Sequence, residues 1–129
     1  MISFEAFRQT DGTPIYLQII RYIQQGVAAG TIQDGDELPS RRVVSALLAV
    51  NPNTVQKAFK QLEDEGLVTS RAGAKSCIQV TPEQIAALRR ELLETEMQAM
   101  VDAAKRLGLT REDAHRLLDT LYDKEGTDA

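Results

Sequence analysis

Cysteine and histidine each occur once, as Cys77 and His115, and tryptophan is absent. A lone thiol forms no intrachain disulfide, and one cysteine with one histidine cannot supply the usual ligand set of a structural zinc site. No metal and no cofactor are expected. No apolar run approaches the ~20 residues needed to cross a bilayer. Residues 1–12 carry no basic start followed by an apolar stretch, so the expectation is a cytoplasmic protein with no membrane partner. Phosphate-binding glycine loops, a nucleophile elbow and paired metal-ligand histidines are all missing. An enzyme is therefore not expected. His115 reads as an ordinary surface residue and Cys77 as packing.

What is present is a chain of 129 residues with 43% hydrophobic and 26% charged residues, enough for one compact domain and a short appendage. The formal net charge is −4. That balance is unfavourable for binding nucleic acid, but it is unevenly distributed. Residues 1–80 hold eight basic and eight acidic side chains; residues 81–129 hold seven and eleven. No acid lies between Leu38 and Leu62, where Arg41, Arg42, Lys57 and Lys60 fall. Such patterning describes either a basic binding face or merely a solvated one.

Hydrophobic periodicity gives five helices. Thr13-Pro14 reads as a cap and first helical residue, followed by Ile15, Ile19, Ile23 and Val27 on one face and a stop at Gly30. Phe4 and Phe7 suit a short extended anchor, and residues 31–39 a loop. Ser40 caps a short second helix with Val43, Val44, Leu47 and Leu48 as its apolar face. Asn51-Pro52 opens a third helix, with Val55, Ala58, Phe59 and Leu62 inward and Gly66 at its end. Two short helices joined so tightly match a helix-turn-helix. Residues 67–71 and 76–80 then read as strands of a hairpin turning at Ala72-Gly73-Ala74. Thr81 with Gln84, and Thr110 with Asp113, form capping boxes for two final helices separated by Gly108. The fold class is α+β, mainly α. A winged helix-turn-helix domain over 1–80 precedes a two-helix region over 81–129.

With those motifs in order, the sequence resembles the GntR family of bacterial transcription factors. Pro14-Ile15-Tyr16-Leu17-Gln18-Ile19 matches the opening of the family's first helix. Leu38-Pro39-Ser40-Arg41-Arg42 matches its Leu-Pro-Ser-any-Arg signature. Asn51-Pro52-Asn53-Thr54-Val55, with Leu62, Glu65, Gly66 and Leu67, matches the recognition helix and its exit. The short helical tail is similar to the YtrA subfamily, whose members resemble repressors of transporter operons. The chain departs from the family pattern at Ser45, where alanine is usual, and at Ala49, where glycine is frequent. Residues 74–77 also lack a second glycine and an aromatic common in the wing.

The resemblance implies DNA contact by Arg42, Asn53, Thr54 and Gln56, with Gly73 near the minor groove. The residues themselves add Asn51, Lys57, Arg41, Arg71 and Lys75. The N-terminal turn of a helix in the major groove presents side chains to base edges. Asparagine and glutamine pair with adenine, and lysine reaches guanine or phosphate. Plainer roles stand beside these: a cap for Asn51, an ion pair with Glu37 or Asp36 for Arg42, a turn for Gly73. A winged helix serving protein–protein contact is the rival class.

The tail is too small to enclose a ligand by itself. Leu88, Leu92, Leu93, Met97, Met100, Leu107, Leu117, Leu118 and Leu121 need either the winged domain or a second copy to cover them. Homodimerisation is the reading taken, with operator DNA as the partner. A two-fold dimer implies a pseudo-palindromic operator. A small-molecule effector, if one exists, is not identified by these residues.

Overall fold

The computed structural model describes residues 1–70 and 75–127. Two compact units divide within the fourth helix, the first being Met1–Arg90 and the second beginning at Glu91.

The first unit is built on α1 (Ile15–Ala29), whose Ile19, Ile23 and Val27 are fully buried. The helix starts one residue later than expected. Pro14 is its N-cap, with no side-chain cap bond. The reason lies in Gln18. Its Oε1 accepts from the Thr10 amide at 2.9 Å, and its Nε2 donates to the carbonyls of Thr10 and Thr13 at 2.9 and 2.7 Å. This buried amide ties down the chain before the helix, so Thr13 is not needed as a cap. At the other end Gly30 adopts φ 85°, the left-handed turn that glycine reaches without steric cost.

The N-terminal segment anchors through its aromatics, as expected. Phe4 stacks on Tyr22 with centroids 5.2 Å apart, and Phe7 meets the same ring edge-on at 5.5 Å.

α2 (Arg41–Leu48) is capped by Ser40, whose Oγ accepts from the Val43 amide at 3.1 Å. Its expected apolar face needs correction. Val44 alone is fully buried and Leu48 packs partly on the core, whereas Val43 and Leu47 face solvent, Leu47 at 64% exposure. Eight residues give two adjacent apolar edges, and only the neighbouring helix decides which is covered. The turn that follows passes through Ala49 at φ 55°, a left-handed conformation in a residue with a Cβ.

α3 (Pro52–Asp64) begins at Asn51, whose Oδ1 accepts from the Asn53 amide at 2.8 Å. Proline at the first position gives up no helical bond. Val55, Ala58, Phe59 and Leu62 are buried, chiefly against α1 and also against α2. Summed over such side chains, at ~1.5–3 kcal/mol for full burial of each large one, this packing is the main support of α3. Gly66 at φ 80° turns the chain out.

β1 (Val68–Thr69) pairs antiparallel with β2 (Cys77–Ile78). Both are shorter than expected, although the Gln79 amide still donates to the Leu67 carbonyl across the hairpin at 2.9 Å. Leu67 N–H closes on Leu62, and the Val80 amide donates to Asp34 Oδ1. The preceding loop supplies a third run: Glu37 bridges Cys77, Leu38 N–H donates to Ser76 O, and Ile78 N–H to Asp36 O.

α4 (Pro82–Arg106) carries the expected capping box. Thr81 N–H donates to Gln84 Oε1 at 2.8 Å, and Gln84 N–H to Thr81 Oγ1 at 3.1 Å. Ile85 and Leu88 pack against the core of the first unit, and Arg89 Nε donates to Ala28 O at 3.0 Å. In the second unit, Gly108 at φ 77° ends α4, and α5 (Arg111–Thr127) starts with Thr110 and Asp113 bonded reciprocally.

Candidate nucleic-acid interface

The inward stripe of α3 fixes its outward one. Asn53, Gln56, Lys57 and Lys60 follow at spacings of three, four and seven from the first, so they share a face, and all four are exposed. Thr54 lies half-buried at its flank. The positive end of the α3 dipole favours an anion near its first turn, although the Asn53 amide there is already taken by Asn51 Oδ1. Three of the expected DNA residues, Asn53, Gln56 and Lys57, are thus brought together. Lys60 belongs to the same stripe and paired loosely with Asp64 at 3.8 Å; its spacing from Asn53 was the signal for it.

Other expected residues have structural duties. Asn51 caps α3. Arg41 lies across α3 with its guanidinium 5.6 Å from the Phe59 centroid and 3.9 Å from Glu63. Its Nε is buried and without a partner among the described residues. Arg42, next to it, is exposed and makes no ion pair among the described residues. Glu37 is instead engaged by Lys75 at 3.5 Å, and Asp36 accepts from the Gln33 amide. Arg71 and Gly73 fall outside the described residues. Lys57 was expected to reach guanine or phosphate; in the structure its Nζ rests 3.9 Å from the Tyr16 centroid. That contact joins residues 41 positions apart, beyond the reach of local pattern.

The apolar tail residues divide. Leu88 belongs to the first unit's core, and Leu92 and Leu118 are half-buried. Leu93, Met97, Met100, Leu107, Leu117 and Leu121 are exposed, Leu107 at 77%. No residue of α4 is fully buried. Among the described residues there is no cluster of metal-ligating side chains, and no helix is long and apolar enough to cross a membrane.

Comparison with known proteins agrees with this geometry. The model for bacterial regulatory proteins of the gntR family matches residues 15–76. The HTH-type transcriptional regulator YhcF of Bacillus subtilis is 35% identical over 100 residues, covering 78% of this chain and 83% of YhcF. The HTH-type transcriptional repressor YtrA of the same species is 32% identical over 111 residues, covering 86% and 81%. A solved GntR family transcriptional regulator from Listeria monocytogenes superposes with a TM-score of 0.80 at 27% identity, covering 87% of this chain and 98% of that one. These relatives are regulators of transcription and not enzymes. The winged helix-turn-helix, the exposed polar stripe on its third helix and these likenesses agree: the chain belongs to the GntR family, as a DNA-binding transcriptional regulator with a YtrA-type short tail.

Proposed function

We propose that the chain acts in the cytoplasm as a homodimeric repressor that binds a pseudo-palindromic operator. The observation that carries this reading is the outward stripe of α3, Asn53, Gln56, Lys57 and Lys60, beside Arg42, which makes no ion pair among the described residues. Asn53 and Gln56 suit adenine edges, and Thr54 suits a phosphate or a thymine methyl. Arg42, at the start of α2, reaches either guanine or the backbone. Arg71, Gly73 and Lys75 extend the contact toward the minor groove.

Dimerisation is supported by the tail. Leu93, Met97, Met100, Ala104 and Leu107 recur at spacings of four and three, a seam of the kind paired helices use. Most of it stands in solvent, as do Leu117 and Leu121 on α5. Likeness to the transcriptional repressor YtrA supports repression; control of a transporter operon is carried over from the subfamily resemblance alone.

The test is selection of bound fragments from genomic DNA, with light scattering on the free protein. Enrichment of an inverted repeat and a dimeric mass are expected. Affinity should also fall with salt, by about 0.9 in log–log slope for each phosphate neutralised. A flat salt response with no enriched sequence would favour a protein-docking role for the winged helix.

A further inference from the structure

The ammonium of Lys57 rests on the face of an aromatic ring from another helix. Its Nζ lies 3.9 Å from the centroid of Tyr16, in the first turn of α1. Tyr16 is half-buried and packs against the core, so its ring is a fixed platform. Three other described cations around α3 are differently held. Lys60 meets Asp64, Lys75 meets Glu37 and Arg41 meets Glu63. Lys57 alone among these four has no carboxylate partner among the described residues.

The distinction matters for binding an anion. A carboxylate orders a lysine but cancels its charge and competes with the incoming phosphate. A ring orders the ammonium while leaving the charge whole and N–H donors free. A lysine stem is otherwise flexible, and ordering it at the moment of binding weakens the contact. We propose that Tyr16 is a positioning residue for DNA binding, holding the Lys57 ammonium beside the third helix so that a backbone phosphate meets an already ordered charge. This rests on the reading of α3's outward face as the DNA surface.

A double-mutant cycle on the full chain tests it, with a mixed-sequence DNA duplex at low salt as the probe. Tyr16→Leu is expected to weaken binding about two- to fivefold, the size of an exposed cation–π contact. Tyr16→Phe, which keeps the ring, should restore it. In a Lys57→Gln background Tyr16→Leu should have no further effect. Equal losses in both backgrounds, or a Tyr16→Phe loss matching Tyr16→Leu, would overturn the proposal. Lys57→Gln alone should reduce the log–log salt slope by about 0.9; an unchanged slope overturns it without needing any Tyr16 variant to fold. In the free protein, ring-current shifts should move the Lys57 ε-methylene protons upfield and vanish in Tyr16→Leu. Their absence from the wild type overturns the proposal independently of DNA. Shifts present in a wild type that binds no duplex would instead place the failure with the DNA-binding reading.

Discussion

Ser45 and Val50 are tied twice across the turn between α2 and α3. The Ser45 hydroxyl donates to the Val50 carbonyl at 2.6 Å, and the Val50 amide donates to the Ser45 carbonyl at 3.1 Å. The residue that departs from the usual alanine thus braces the turn that departs from the usual glycine. Ser45→Ala should remove one of the two ties and leave a partly buried carbonyl short of a donor, at a cost of about 1 kcal/mol. A fall in thermal midpoint, measured at fixed protein concentration, checks this. An unchanged midpoint would mean that water replaces the hydroxyl without loss.

Ala49, inside that turn, sits at φ 55°. A Cβ in the left-handed region costs roughly 1–2 kcal/mol, and glycine gives back part of the relief through its greater chain entropy. Ala49→Gly should therefore stabilise the first unit by roughly 0.5–1 kcal/mol. Urea unfolding should show a higher midpoint at constant m-value.

Arg41 and Arg42 are neighbours with opposite prospects. Arg42→Ala should weaken operator affinity by roughly 1–3 kcal/mol if its contact is a base readout. Stability should shift by less than ~0.5 kcal/mol, as for other surface changes. Arg41→Ala should lower stability more, through lost packing on Phe59 (5.6 Å) and not through the long, half-exposed pairing with Glu63 (3.9 Å). Gel-shift titration and thermal unfolding of both variants separate the two roles. Equal effects of both variants in both assays would refute the division.

Placing a charge on the α4 seam should dissociate the proposed dimer. Met97→Glu with Met100→Glu puts two carboxylates on a surface that is about half exposed in the single chain (49% and 48%). The first unit contains neither residue and should keep its fold. Sedimentation should report a monomer, with weakened binding to a two-half-site operator and little change on a single half-site. A dimer that survives both changes would move the interface elsewhere.

Local signals were legible in the sequence and distant ones were not. Ser40, Asn51, Thr81 and Thr110 cap their helices as expected, because a cap and its amide lie within three residues. The inward residues of α1 and α3 were equally plain, since thirteen or more residues average out the period. The short α2 gave no such average, so Val43 and Leu47 were assigned to the wrong side. Gln18 was read only as part of the first-helix motif, and it is buried at 8% exposure because three backbone groups from residues 10 and 13 converge on it. Within the site, the α3 stripe followed from spacing, whereas the pairings of Lys57, Arg41 and Lys75 depend on how separate elements meet.

The backbone run that bridges Cys77 has a practical consequence for anyone re-engineering this scaffold. Residues 31–39 look like a convenient place to splice in a tag or a sensor module. Gly35, Asp36 and Leu38 are nevertheless laced to Ser76 and Ile78, and Asp34 to Val80. A single inserted residue there would throw the lacing out of step and swing Leu38, 1% exposed, from its seat. The left-handed turn at Gly108, where an added Cβ would meet nothing within 4 Å, carries no such lacing among the described residues.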